Sequence, residues 1–253
     1  MFALDAPETK DSTRGGLLSV ANVIDGGSPY LFVEPQEYQT GFTGTNREIP
    51  ADGVDKIFDE RPENTDTVLF GHYRGIDLEL LEGQGVGGPL VREAFEASEG
   101  IAVEEKVQEL LLNPIAIDLT PTPGTPFTNL KAALGILEQY AARNYVGKQP
   151  TISGNLFTTY LIPELQAKPD GSLSTIHGTP IAAAAGFDGN GPGAAAVADG
   201  TGWLYISGQI NIWRSALGLY PGLALEKNRE VSLVERRYAS SVEGFVAAIL
   251  VGT

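Results

Sequence analysis

The stretch that most constrains the fold runs from Pro89 to Asn113, PLVREAFEASEGIAVEEKVQELLLN. It is the longest segment of helix-forming composition with few breakers. Pro89 suits a first helical position, because the N–H it lacks would go unpaired there. Pro114 follows directly and is expected to stop the helix after Asn113. The apolar positions do not make one straight stripe. Leu90, Val91, Ala94, Phe95 and Ala102 share one side; Val103, Val107, Leu110 and Leu111 lie on a side rotated away from it. Gly100 sits between the halves. The segment is therefore either one long helix touching different layers at its two ends or two helices broken at Gly100. Flanked by strand-rich sequence, it is expected to lie across a sheet.

Before it, residues 1–16 read as a polar arm ending in glycine, and 17–24 (LLSVANVI) as a short helical turn or strand. Residues 26–29 form a turn and 30–33 a short strand. Residues 41–75 are the most polar and least periodic part, with turn chemistry at 51–53 and 60–64 and a strand candidate at 67–70. This segment has too little apolar surface for a core of its own. It is either a mobile surface loop or an extended hairpin resting on something else.

After the long helix, 115–119 reads as a strand. Thr125 then caps a helix over 126–145, with Pro126 at its first position and Leu130, Ala133, Leu134, Leu137 and Ala141 as its apolar face; Gly147 ends it. Residues 151–162 read as a strand in which Gly154 marks a bulge or an element start. Residues 173–187 are rich in small side chains, and 186–202 form a Gly/Ala loop. Trp203–Trp213 alternates around a bulge at Gly208. Residues 230–239 and 244–251 read as two antiparallel strands joined at 240–243, the second apolar enough to be buried.

The chain has 253 residues, 42% hydrophobic and 19% charged, which fits a folded protein. Its longest apolar runs are too short to span a bilayer, and the start lacks the basic and apolar regions of a signal peptide. The formal net charge of −15 argues against nucleic-acid recognition and against anionic membranes. With no cysteine, disulfides, thiolate metal sites and a Cys nucleophile are excluded. Two histidines, His72 and His177, make a His-rich zinc site unexpected.

Motifs for chemistry are weak. Asp188-Gly-Asn190-Gly-Pro192 resembles a calcium loop but lacks its length and closing Glu. Gly83–Gly88 precedes a helix without the Lys-Ser/Thr of a phosphate loop. Ser153 and Ser207 lie near glycine without a Gly-x-Ser-x-Gly elbow. Glu104-Glu105 reads as a solvated helix face. Glu235-Arg236-Arg237, inside a strand, places alternate charges either on one exposed face or across a subunit boundary. No cofactor, no metal and no enzyme activity are expected.

Three stretches carry a family resemblance: GTPIAAAAGFDGNGP at 178–192, GWLYISGQINIWRS at 202–215 and NREVSLVERRYASSVEGFVAAILVG at 228–252. Together with the order arm, polar segment, long helix, second helix, mixed region and terminal strands, they resemble the tailed-bacteriophage major capsid proteins of the Hong Kong phage type. The closing segment is similar to that of actinobacterial phage capsid proteins, which favours a virus over the encapsulin nanocompartments that share the fold.

The resemblance implies an α+β fold with an N-terminal arm (1–25), an extended E-loop hairpin (41–75), a P domain with its spine helix (76–125), a mainly A-domain region (126–225) and P-domain C-terminal strands (226–253). It implies pentamers and hexamers closing an icosahedral head around double-stranded DNA, held without sequence-specific binding. A separate scaffolding protein, a portal and decoration proteins are the implied partners, with no membrane. The implied location is the virion, after assembly in the host cytoplasm. The implied inter-subunit contacts are Arg47, Asp52, Asp55, Lys56, Asp59, Glu60, Arg61 and Glu63 of the E-loop, and Glu235, Arg236 and Arg237 of the late strand. The alternatives are an encapsulin-like shell and an acidic soluble enzyme or binding domain.

Overall fold

A computed structural model describes residues 15–26, 68–79, 87–145, 149–162, 165–168, 172–187, 190–194, 197–224 and 229–253. Helix α1 (Leu17–Val20) and strand β1 (Asn22–Asp25) come first, then β2 (Val68–Glu79). The long helix α2 runs as an α-helix over Gly87–Val107, widens to a π-helix over Gln108–Leu112 and closes with an α turn at Asn113–Ile115. Gly100 does not break it.

The buried line of α2 is Val91, Phe95, Glu99, Val103, Val107 and Leu111. Steps of four residues advance about 40° past a full turn, so this line winds round the helix. Its first half therefore meets one layer, where Val91 and Phe95 pack with Val234. Its second half meets another, where Val103, Val107, Leu111 and Leu112 pack with Trp203 and Tyr205. The helix is thus the single-helix form of the two expected. Leu90 and Leu110, grouped from sequence with these apolar positions, are 44% and 36% exposed, because each lies one residue, about 100°, off the buried line. Pro114 does not stop the helix after Asn113 but sits inside its last turn. Pro114 has no N–H to donate, and the ladder has already widened before it, with the Asn113 N–H reaching back to the Gln108 carbonyl.

The remaining elements are β3 (Ile117–Asp118), α3 (Leu130–Asn144), β4 (Thr151–Asn155), α4 (Leu156–Tyr160), β5 (Gln166–Ala167), β6 (Leu173–Ser174), β7 (Pro180–Ala184), β8 (Thr201–Ser207), β9 (Ile210–Arg214), β10 (Gly218–Ala224), β11 (Arg229–Val242) and β12 (Val246–Gly252). They form two sheets. In the five-stranded sheet, β11 pairs with β2 along one edge and with β10 and β9 along the other, and β1 adds in parallel to β9. The seven-stranded sheet has the order β3-β12-β8-β4-β7-β6-β5.

Gly208 and the 243–245 turn are where the chain changes sheet. β8 and β12 pair in one sheet, β9 and β11 in the other. The expected bulge at Gly208 is therefore a corner, and the expected antiparallel pair of terminal strands does not pair with itself. The two corners lock together: the Gly208 N–H donates to the Phe245 carbonyl at 3.1 Å, and the Glu243 N–H to the Gln209 carbonyl at 3.0 Å. A Cβ at residue 208 would lie 1.9 Å from the Glu243 carbonyl oxygen, so only glycine fits. Residues 226–253, expected to act together, are thereby split between both sheets.

Three further expectations shift. Helix α3 begins at Leu130, capped by Asn129, whose Oδ1 accepts the Ala132 N–H at 3.1 Å. Thr125 and Pro126 lie outside it because Phe127 is held as a bridge to Val251. Gly147 lies outside the described residues. The strand expected over 151–162 ends at Asn155, whose Oδ1 accepts the Thr158 N–H at 2.7 Å and starts α4. Of the polar segment, residues 68–75 are the start of β2, paired with β11 from Val68–Ser240 to Glu79–Arg229. Residues 41–67, the strand at 30–33 and most of the arm lie outside the described residues.

The seven-stranded sheet is covered on both faces. Helix α3 packs Ala133, Leu137 and Ala141 onto Ile152, Ile181, Leu204, Ile206 and Ile249. The second half of α2 covers Ala182, Ala184, Tyr205, Ala248 and Leu250 on the other face. This double burial explains why β8 and β12 read as nearly unbroken apolar runs.

Candidate functional site

The buried line of α2 carries charge. Glu99 lies under the five-stranded sheet, where its Oε1 accepts from Arg236 Nη1 at 2.6 Å and from the Tyr238 hydroxyl at 2.8 Å. Arg214 Nη1 stands 3.7 Å away. Arg214 in turn forms a two-pronged pair with Asp25, its Nη2 donating to Oδ2 at 3.2 Å. The chain Asp25–Arg214–Glu99–Arg236 thus links β1, β9, α2 and β11. The hydrogen bond from Arg214 holds the Asp25 carboxyl below its usual range. Burial, and then the Glu99 charge, push the Tyr238 phenol up. Next to this cluster, His72 rests on Phe95 with ring centroids 4.9 Å apart and Nε2 3.0 Å from Ser98 Oγ. Burial first, then nearby Arg74, lowers its pKa.

One turn on, Glu104 is 4% exposed and accepts two backbone N–H groups at 2.9 Å, from Leu17 and Gly186. Burial pushes its carboxyl up, against the lowering effect of those bonds. Gly186 is required here, since a Cβ would fall 2.3 Å from the Ile101 carbonyl oxygen. A turn further, Gln108 Nε2 donates to the Asn190 carbonyl at 2.7 Å. The Tyr205 hydroxyl lies 2.5 Å from Asn113 Oδ1 and 2.9 Å from that same carbonyl. Glu104, read from sequence as a solvated face, is an internal clasp. Its signal was positional: Glu99 falls on the line set by Val91 and Phe95, and Glu104 and Gln108 stand next to Val103 and Val107, where the second half of the helix is buried on a broader face.

Cross-strand register sorts the late charged run. Glu235 stands opposite Tyr73 and Gly218, Arg236 opposite His72, and Arg237 opposite Gly71. Arg236 therefore faces α2 and is engaged by Glu99. Glu235 and Arg237 share the face turned away from the helix, and among the described residues their side chains have no ion-pair partner. The same face presents Leu69 (59% exposed), Tyr73 (69%), Tyr220 (42%) and Val231 (38%). Arg47, Asp52, Asp55, Lys56, Asp59, Glu60, Arg61 and Glu63 lie outside the described residues.

A cleft of about 140 Å³ opens between α3 and the 175–177 turn, lined by Lys131, Leu134, Glu138, Ile162 and His177. Glu138 there accepts the Thr175 and Thr179 hydroxyls at 2.6 and 2.8 Å, which ties the turn to the helix. Among the described residues no three His, Cys, Asp or Glu side chains group to hold a metal. No helix among them is long and apolar enough to cross a membrane.

No family model and no curated protein matches the sequence. Solved structures do. The capsid of a native GTA particle, computed with C5 symmetry, is similar with a TM-score of 0.57 at 12% identity, covering 99% of this chain and 96% of that one. The holo-SrpI encapsulin complex of Synechococcus elongatus PCC 7942 is similar with a TM-score of 0.56 at 12% identity, covering 92% and 85%. Gordonia phage Cozz gives a TM-score of 0.53 at 12% identity, covering 97% and 89%. The chain has the Hong Kong phage-type capsid fold, α+β with two sheets and one long helix shared between them.

Proposed function

We propose that this chain is a shell subunit, the major capsid protein of a tailed bacteriophage, assembling as pentamers and hexamers into an icosahedral head around double-stranded DNA. The observation that carries the reading is near end-to-end likeness to the GTA particle capsid and to the Gordonia phage Cozz structure, over 99% and 97% of this chain. Subunits of such a shell need a rigid body whose contacts repeat around axes, and many weak contacts per subunit sum to a stable particle. The α2 clasps supply rigidity by fixing both sheets to one helix. A separate scaffolding protein, a portal and decoration proteins are the proposed partners, and the proposed location is the virion after assembly in the host cytoplasm.

In this reading residues 1–25 are the N-terminal arm and 41–75 the E-loop, with Arg47, Asp52, Asp55, Lys56, Asp59, Glu60, Arg61 and Glu63 meeting a neighbouring subunit. Helix α2 with the five-stranded sheet is the P domain, and most of 126–225 is the A domain. Deleting 45–66, which leaves β2 whole, should keep a folded soluble chain but abolish closed particles in electron micrographs. Normal particles from that deletion would remove the E-loop assignment. The encapsulin-like shell is the second reading, favoured by the likeness to the Synechococcus elongatus encapsulin complex. Particle contents separate the two: packaged DNA for the phage reading, a cargo protein for the other.

A further inference from the structure

One side of α2 is covered over its second half and bare over its first. At 100° per residue, Leu90, Ala94, Ala97, Ile101, Glu104 and Gln108 fall within a sector of about 80°. Glu104 and Gln108 are 4% and 2% exposed. The arm root and the 186–190 segment lie over them: the Leu17 and Gly186 N–H groups donate to Glu104, and the Asn190 carbonyl accepts from Gln108. Gly186 sits against the Ile101 carbonyl oxygen, and there the cover stops. Ala94 and Ala97 are exposed, and Leu90 and Ile101 are each 44% exposed. Apolar residues at i, i+4, i+7 and i+11 make a packing seam rather than a solvated face. From Leu90 to Ile101 the bare run is about 16 Å long.

The chain itself brings an occupant to this place. The Gly15 carbonyl accepts the Ala183 N–H at 2.8 Å, and Glu104 holds the Leu17 N–H, so the arm leaves the body where the bare run begins. Its first four residues, Met1, Phe2, Ala3 and Leu4, are apolar, and the ten that follow, DAPETKDSTR, are mostly polar. From Glu104 to the middle of the bare run is about 13 Å along the helix. A coil of ten residues spans about 17 Å on average. A tether whose length matches the gap gives its end an effective concentration in the millimolar range, so even a weak apolar contact is occupied.

We propose that the arm folds back on its own subunit, with Phe2 and Leu4 seated on Ala94 and Ala97 between Leu90 and Ile101. This strap finishes the half of α2 that the 186–190 segment leaves bare. The proposal stands on the helix and the arm root and does not need the shell reading.

The chain has no cysteine, so an engineered pair reads the contact in the full-length protein. L4C/A97C should close a disulfide within one chain under mild oxidation, seen as a faster band on a non-reducing gel. L4C/E96C is the reference: residue 96 is also exposed and one residue away, but about 100° round the helix. Its yield should be severalfold lower. Adding A94E to L4C/A97C should bring the yield down to that of the reference, with thermal unfolding under reducing conditions unchanged, since residue 94 is exposed. Equal yields for the two pairs, or no effect of A94E, would overturn the strap while leaving the shell reading standing. A linked dimer in place of the bond within one chain would overturn it as well, by giving the seam to a neighbouring copy's arm.

Discussion

The two sheets of this chain solve opposite problems. The seven-stranded sheet is finished within one copy: α3 covers one face, the second half of α2 the other, and β12 is buried at every position. The five-stranded sheet has Trp213 and Ala239 buried on one face but stays open there over β2 and β10, and it is finished on the face toward α2. There α2 lays down Phe95 and Glu99, while the other face leaves Leu69, Tyr73, Tyr220 and Val231 in solvent. Apolar burial on both faces makes a body that folds by itself, and an apolar face left open is a surface for a partner. The same helix serves both sheets, so the finished body orients the unfinished face.

Glu99→Ala should break the comparison most severely. It strips the acceptor from Arg236 and from the Tyr238 hydroxyl in a largely buried place, at a cost of about 3–5 kcal/mol. Urea denaturation reads this directly, and a loss below about 1 kcal/mol would mean that the cluster does not hold α2 to its sheet. Leu204→Ala, between β8 and α3, should cost about 2–5 kcal/mol through the cavity it leaves.

Alkaline pH probes the finished body more gently. Tyr145 donates to Glu243 at 3.0 Å beside the sheet-changing corner. Burial first pushes its phenol from the usual 10 up to about 12. The neutral phenol is thus favoured by folding. Its contribution is fully present below the unfolded value near 10 and is lost as pH rises through about 12. Denaturation midpoints should fall over that window in wild type and fall less in Tyr145→Phe; equal slopes would contradict the assignment. The smallest effect is expected on the open face. Val231→Ala should change stability by no more than about 0.5 kcal/mol in the unassembled chain, as surface substitutions do. A cost matching Leu204→Ala would show that this face is already covered.

The sequence carried the long helix, most of the helix expected over 126–145 and the strands β11 and β12, because each has clear periodicity or an unbroken apolar run. It hid the switch between sheets. A glycine in an alternating strand signals a bulge and a corner equally, and only the second corner at 243–245 tells which. The clasps on α2 were hidden because a search for apolar stripes skips Glu99, Glu104 and Gln108, although they occupy buried turns. The run Glu235-Arg236-Arg237 offered two readings, an exposed face or a subunit boundary. Strand alternation sends Arg236 inward to Glu99 and leaves the other two outward, a sorting that register supplies and composition does not.

The central claim is that the chain builds shells. Sedimentation velocity on the full-length chain, with electron microscopy of any fast fraction, tests it most directly. The account predicts pentamers, hexamers or closed particles, appearing with the chain alone or on addition of a candidate scaffolding protein. A chain that sediments as a monomer at every concentration, with that protein present as well, would contradict it.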